Sequence, residues 1–253
     1  MRTLDIKKVI EDIQDWIKSY LKSANAKGII VCVSGGIDSA VTLGLCVGAI
    51  GKENITTLIL PCESNLIDEE DAKLVINHFN VKSYRFDLTS VYRELLKIFK
   101  TQIKGNNLSR ANIKPRLRMV SAYFSGQSLK NHLVVGTGNR TEDAIGYFTK
   151  YGDGGADFLP IGDLYKCEVR AIGKELGIPE KIITKAPSAG LWEGQTDEGE
   201  IGMTYEEMDE IIYRIDYNQD LTNLEKNQVE EVQRLIRVNK HKLEPVPKYS
   251  IKK

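Results

Sequence analysis

The chain has 253 residues, 42% of them hydrophobic, and 35 Lys+Arg balance 35 Asp+Glu to a net charge of zero. That balance excludes general coating of nucleic acid or of an anionic membrane, although a local basic patch is compatible with it, and the length suits a large α/β domain with a sizeable core. Cys32, Cys46, Cys62 and Cys167 show no C-x-x-C spacing, the N-terminus has no apolar h-region, and no run reaches the ~18–20 apolar residues that cross a bilayer; a reducing, cytoplasmic setting without disulfides, zinc ribbon or membrane span is expected.

Residues 4–21 place Ile6, Val9, Ile10, Ile13, Ile17, Tyr20 and Leu21 at helical spacing, an amphipathic helix that covers a sheet or a partner. Residues 28–33 are a β-branched run that reads as a buried parallel strand. Ser34-Gly35-Gly36-Ile37-Asp38-Ser39 follows, then an apolar run to Ile50 that suits a buried helix closed by Gly51. A strand entering a Ser-Gly-Gly turn and leaving into a helix aims backbone N–H groups at one point, which suits a phosphate. Gly35 and Gly36 leave room for a close anion, and Ser34 and Ser39 add hydroxyl donors. The Asp38 carboxylate beside that anion requires a cation between them, so the stretch predicts phosphate plus Mg²⁺. The common P-loop G-x-x-x-x-G-K-[ST] occurs nowhere in the chain, which removes the main support for a GTPase or kinase-like reading.

Residues 54–60 form the second expected strand, closed by Pro61, and strand–helix–strand in so short a span implies a parallel sheet. Residues 68–79 are a helix whose crowded acids, Asp68 to Asp71, read as a solvated first turn. A third strand is expected at 83–88 and a helix at 91–103. The helical pattern at 108–129 is interrupted by Pro115, which belongs in a first turn. Arg116 and Arg118 beside it suit either a solvated face or a fork for phosphate or carboxylate. Of the cysteines, Cys32, Cys46 and Cys167 sit in apolar patterns and are expected to be buried, with Cys62, in a loop after a strand, the exception.

The fourth strand, 132–135, runs into Gly136-Thr137-Gly138-Asn139-Arg140-Thr141-Glu142. This nearly spells the dinucleotide fingerprint, with Thr141 at the third glycine. If its strand lies beside the first, two glycine loops flank a switch-point crevice, and Glu142 meets Asp38 across one metal ion. Residues 146–160 form a loop of glycines, acids and aromatics of the kind that binds something. A helix follows at 165–176. Residues 185–203 lack periodicity and read as a lid, or else as a disordered excursion. Thr204 and Glu207 form a capping box opening a helix at 204–215, and another helix is expected at 223–237. The tail 239–247 is basic, then proline-stiffened, and either binds or frays.

Ser-Gly-Gly-Ile-Asp-Ser resembles the pyrophosphate loop of the ATP-pyrophosphatase enzymes (adenine nucleotide alpha hydrolase superfamily). With Lys-Pro-Arg-Leu-Arg-Met (114–119), Gly-Thr-Gly-Asn-Arg-Thr-Glu (136–142), the 146–157 loop, Lys-Ala-Pro-Ser-Ala-Gly-Leu-Trp (185–192) and His-Lys (241–242), the chain resembles the ammonia-dependent NAD synthetases nearly end to end. The resemblance implies an α/β, Rossmann-like three-layer fold with a central parallel sheet flanked by helices, in a single domain over 1–253. It implies a ligase that uses ATP and Mg²⁺ to adenylate deamido-NAD and then lets ammonia displace AMP, giving NAD. Ser34, Gly35, Gly36, Ile37, Asp38, Ser39, Thr137, Lys166 and Ser188 match ATP contacts. Arg116, Lys150, Asp157, His241 and Lys242 match deamido-NAD contacts, and Asp38 and Glu142 match metal ligands. Asp38, Lys166, Ser188 and Asp153 are the catalytic candidates, Asp153 as the base that takes a proton from ammonium. The family is homodimeric, so the first helix suits an interface and the basic tail suits a neighbouring chain's site.

Other ATP-pyrophosphatases are the nearest rivals, but a GMP synthetase needs further domains and the tRNA-thiolating relatives carry paired cysteines. A non-catalytic dinucleotide sensor built on Gly136-Thr137-Gly138 is the rival from another class, and ATP turnover to AMP separates the two. The motifs begin close to Met1, with no glutaminase domain before them, so free ammonia is the expected nitrogen donor.

Overall fold

Four parallel strands, β1 (Gly28–Cys32), β2 (Ile55–Ile59), β3 (Lys82–Arg85) and β4 (His132–Val135), lie in the order β3-β2-β1-β4. The structure, a computed structural model, describes residues 1–129, 131–188 and 196–251. Ile29 of β1 is in register with Ile55 of β2 and with Leu133 of β4. The central position of β1 explains its β-branched run: Ile29 and Val31 enter the core on one face, and Ile30 enters the core on the other.

The helices are α1 (Ile6–Ser23), α2 (Ile37–Ile50), α3 (Leu66–Phe79), α4 (Thr89–Lys100), α5 (Asn107–Ala111), α6 (Ile113–Ser128), α7 (Arg140–Ile145), α8 (Lys166–Glu175), α9 (Glu180–Ile183), α10 (Asp197–Ile201), α11 (Tyr205–Asp216) and α12 (Lys226–Leu243). One layer holds α1, α2 and α8 over the core of Ile29, Val31, Leu43, Val169 and Ile172. On the opposite face α6 covers β1 and β4, with Ile30, Leu58, Ala122 and Val134 between. A third core joins α7, α11 and α12 through Ile145, Met208, Ile212 and Val232. This is the three-layer α/β arrangement expected, and no described helix is long and apolar enough to cross a membrane.

Pro115 stands in the first turn of α6, where its missing N–H costs nothing. Several expectations change. The apolar stripe of α1 is spent inside the chain: Ile10, Ile17 and Leu21 are buried against α2 and α8. Among the described residues an apolar face on α4 and α6 stays uncovered: Val91, Ile98, Phe99, Val120 and Phe124 are all exposed. Asp71 is not solvated but 1% exposed, ion-paired with Lys181 and Lys185. Cys62 is fully buried, whereas Cys32 and Cys167 are only half-buried; all four thiols are free. Finally, α12 continues to Leu243, so His241 and Lys242 are helical residues and not part of a tail.

Candidate active site

The loop after β1 is shaped by its own hydroxyls. Ser34 N donates to Ser39 Oγ at 3.2 Å, Ser39 Oγ donates to Gly36 O at 3.0 Å, and Gly36 N donates to Ser34 Oγ at 3.3 Å. Gly35 has φ +82°, and a Cβ there would lie 2.5 Å from Asp68 O. Only glycine fits, because α3 is pressed against the back of the turn. Gly36 is the N-cap of α2 and no side chain caps that helix. By contrast, α3, α7 and α11 are capped by Asn65, Asn139 and Thr204. The first-turn N–H groups of α2, at the positive end of its dipole, thus lack a side-chain acceptor where Gly36, Ile37, Asp38 and Ser39 line a cleft of about 790 Å³.

Behind that helix terminus three charged side chains converge. Lys166 Nζ donates to Asp38 Oδ2 at 2.6 Å and to Glu142 Oε1 at 2.9 Å, so the two acids meet across a lysine. The ammonium also lies 4.6 Å from the centre of the Tyr205 ring. Asn139 links the two glycine loops: its Nδ2 donates to Asp38 Oδ1 at 2.8 Å and its Oδ1 accepts from Glu142 N at 3.0 Å. Tyr205 OH lies 3.2 Å from Glu142 Oε1 and 2.9 Å from Asp197 Oδ2. Burial alone would push the Lys166 ammonium down, but Asp38 and Glu142 outweigh it and hold the pKa above its ordinary value. Burial pushes Glu142 up to about 7, against the pull of Lys166 and with the push of Asp38.

Asp38 and Glu142 thus both contact the Lys166 ammonium, and Asp197 joins them through Tyr205 OH. Among the described residues no three His, Cys, Asp or Glu side chains form a complete metal ligand set. Mg²⁺ asks for less, since it takes one or two carboxylates and completes its shell with water and substrate phosphate. Asp38 and Glu142 beside an anion cradle fit that demand.

Further along the cleft, Arg118 is aimed by Leu60 O at 3.1 Å and Ser64 Oγ at 3.2 Å, and burial pushes its pKa down. Lys185 Nζ donates to Asp68 Oδ1 and Asp71 Oδ2, both at 2.7 Å, and approaches Gly35 O at 3.4 Å, which ties its segment to the loop. Asp153 Oδ1 accepts from Thr149 N at 3.0 Å and so holds the 149–153 turn; the residue opens onto the cleft, yet surrounding protein pushes its pKa up. Thr137 and Ser188 line the same cleft. Lys242 lines it too, donating to Gly146 O at 2.6 Å and Phe148 O at 3.0 Å of its own chain.

A sequence profile of the NAD synthase family matches residues 9–246. The chain belongs to that family. The NH₃-dependent NAD⁺ synthetase of Carboxydothermus hydrogenoformans is 47% identical over 234 residues, 92% of this chain and 93% of that protein. The NMN synthetase structure from Francisella tularensis superposes with TM-score 0.89 at 33% identity, over 98% of this chain and 100% of that one. The NH₃-dependent NAD synthetase from Campylobacter jejuni superposes with TM-score 0.84 at 29% identity, over 98% and 100%.

The residues that match NAD synthetase motifs fall into four places. Ser34, Gly36, Ile37, Asp38, Ser39, Thr137, Glu142, Asp153, Lys166, Ser188 and Lys242 line the cleft. Arg116, Lys150 and His241 meet one another outside it: Arg116 Nη2 donates to Lys150 O at 3.3 Å, and Lys150 Nζ donates to His241 O. Asp157 does not reach the cleft. Its Oδ2 accepts from Val134 N at 2.7 Å and its Oδ1 from Tyr123 OH at 3.1 Å, so its carboxylate links β4 to α6. Gly35 supports the loop from behind. Of the expected lid, residues 189–195 lie outside the described residues. Sequence reasoning missed Asn139, Lys185 and Tyr205. Asn139 had a readable signal, Asn-x-x-Glu at a helix start, which is a capping pattern; the other two depend on tertiary contacts alone.

Proposed function

We propose that this NAD synthase family member catalyses ATP-dependent amidation of deamido-NAD by ammonia, through an acyl-adenylate, releasing AMP and pyrophosphate. The observation that carries this reading is the meeting of the uncapped α2 terminus with Asp38, Glu142 and Lys166 at one part of a cleft that also takes in Asp153 and Lys242. In the first half-reaction a nicotinate carboxylate oxygen attacks the α-phosphate of ATP and pyrophosphate leaves. The α2 N–H groups, with Ser34 and Ser39, receive the departing anion, and Lys166 adds a fixed positive charge. Mg²⁺ bound by Asp38 and Glu142 supplies further neutralisation of phosphate charge. In the second half-reaction nitrogen attacks the acyl carbon, AMP leaves, and Asp153 takes the proton that ammonium must lose. Thr137 and Ser188 are assigned to ATP, and Lys242 with the Arg116, Lys150 and His241 rim to deamido-NAD. Asp157 is left out of the contacts because its carboxylate holds the sheet.

We read the chain as one domain and as a homodimer through the exposed apolar face of α4 and α6, joined by the stacked, exposed Tyr84 and Phe86. Free thiols support a cytoplasmic setting.

The test supplies ATP, Mg²⁺ and deamido-NAD with either ammonium or glutamine, and follows NAD and AMP. The expected result is stoichiometric NAD and AMP with ammonium; AMP without amide, or no turnover, overturns the reading. A second substrate has one observation in its favour, the superposition on the Francisella NMN synthetase. A parallel arm with nicotinate mononucleotide decides between them by kcat/KM.

A further inference from the structure

The carboxylate of Asp209, on α11, is 1% exposed and does not itself line the cleft. Its Oδ2 accepts from Cys167 N at 2.8 Å, and its Oδ1 lies 3.3 Å from Lys166 N and accepts from Thr141 Oγ1. The same Thr141 hydroxyl accepts from Lys166 N at 3.1 Å. Tyr165, the N-cap of α8, has an aromatic side chain with no acceptor close to those amides, so a carboxylate from another helix satisfies the first-turn donors. An anion at the positive end of the α8 dipole is also stabilised there.

Two of the three partners of Asp209 belong to or adjoin the reacting cluster. Thr141 precedes Glu142 on α7, and Lys166 is the first residue of α8. The Glu142 and Lys166 side chains, one from each of those helix starts, meet at 2.9 Å. We propose that Asp209, through Thr141, is a positioning residue for the adenylation step, clamping the starts of α7 and α8 so that Glu142, Lys166 and Asp38 converge. Asp209 acts through these residues and not on substrate. The inference rests on the reading of the cleft as the adenylating site.

The test uses the full-length protein, with D209N, T141V and T141S. Asn keeps the shape but turns an amide NH₂ toward backbone N–H donors; Val removes the bridging hydroxyl at nearly constant volume; Ser restores it. Single-turnover pyrophosphate release should fall at least 10-fold in D209N and in T141V, with KM for ATP changed less than threefold, and T141S should return to within about threefold of wild type. The double variant D209N/T141V should be no slower than the worse single one, since both break one clamp. Hydrogen exchange at the Lys166 and Cys167 amides, read without substrate, should accelerate in D209N. Wild-type pyrophosphate release in folded D209N or T141V, or a T141S as slow as T141V, overturns the inference. If D209N does not fold, the T141V and T141S pair decides it. If the wild-type protein releases no pyrophosphate, the functional reading fails, and amide exchange still decides whether the clamp exists; unchanged exchange in D209N overturns it.

Discussion

Asn139 donates from Nδ2 to Asp38 Oδ1 at 2.8 Å, joining two glycine loops 101 residues apart in sequence. Its other amide atom caps α7, so one side chain serves both stability and the orientation of Asp38. Replacing it by Ala should cost about 1 kcal/mol through the lost cap, or about 2–4 °C in Tm for a chain of this size. Replacing it by Asp keeps the cap but puts a second carboxylate against Asp38. N139D should therefore hold more of its Tm than N139A yet release pyrophosphate more slowly. Thermal melts paired with pyrophosphate assays check the crossing order.

Asp38→Asn and Glu142→Gln should each cut adenylation by about 10²–10³, because each removes a charge proposed to hold Mg²⁺ while keeping side-chain shape. Circular dichroism should stay native. Near-normal pyrophosphate release in both variants would sink the metal assignment.

Asp153→Asn keeps an oxygen for the Thr149 N–H, so the turn should persist. The variant should form the adenylate and release pyrophosphate but make NAD slowly at limiting ammonium. A wild-type rate of NAD formation there would leave Asp153 as a turn residue only.

Phe124 on α6 is 71% exposed and Ile98 on α4 is 55% exposed, on a surface that none of the described residues covers. F124E and I98E should each shift sedimentation from dimer to monomer while leaving Tm within a few degrees of wild type. A monomeric wild-type protein at micromolar concentration would refute the dimer.

Glu69 is gripped by Arg85 at 2.9 Å and 3.0 Å and by Lys73 at 2.8 Å, which hold its carboxyl down to about 2. An unfolded glutamate titrates at about 4.3. The folded value is the lower one, so this contribution to stability is complete above the unfolded value and is lost as pH falls toward 2. E69Q should melt below wild type at pH 6, and the gap should close between about pH 4.5 and 2. Salt should narrow it at every pH, since the cluster borders solvent. A gap that is constant with pH would mean that packing, not charge, is what Glu69 supplies.

Much of the fold was legible because local chemistry and tertiary role agree. The β-branched run before Ser34 can only be satisfied in the middle of a sheet, and Pro115 can only open a helix. The cover of α1 stayed open in the sequence for a physical reason: an amphipathic stripe states that something covers it, not what does. Asp71 misled because its lysine partners lie more than a hundred residues further on. In the site, residues whose backbone geometry does the work were readable from their spacing. Tyr205, Lys185 and Asp209 were not, because each acts on a residue far away in sequence and its own neighbours follow ordinary helix or loop patterns. Asp157 shows the converse, a residue in the expected loop whose oxygens bond β4 and α6.

The absence of room at Gly35 bears on how portable the turn over residues 34–39 is. The curve of Ser34 to Ser39 is moulded partly by its own hydroxyls and partly from outside, by the backbone of α3 at Asp68. Six residues grafted onto another strand–helix junction would bring the sequence without the mould, and the turn would relax. A transplant would have to include the first turns of α3 and the lysine that ties 185 to it. The unit of inheritance for this turn is therefore a strand, two helices and the lysine that braces them, and protein engineers seeking to borrow it should cut there.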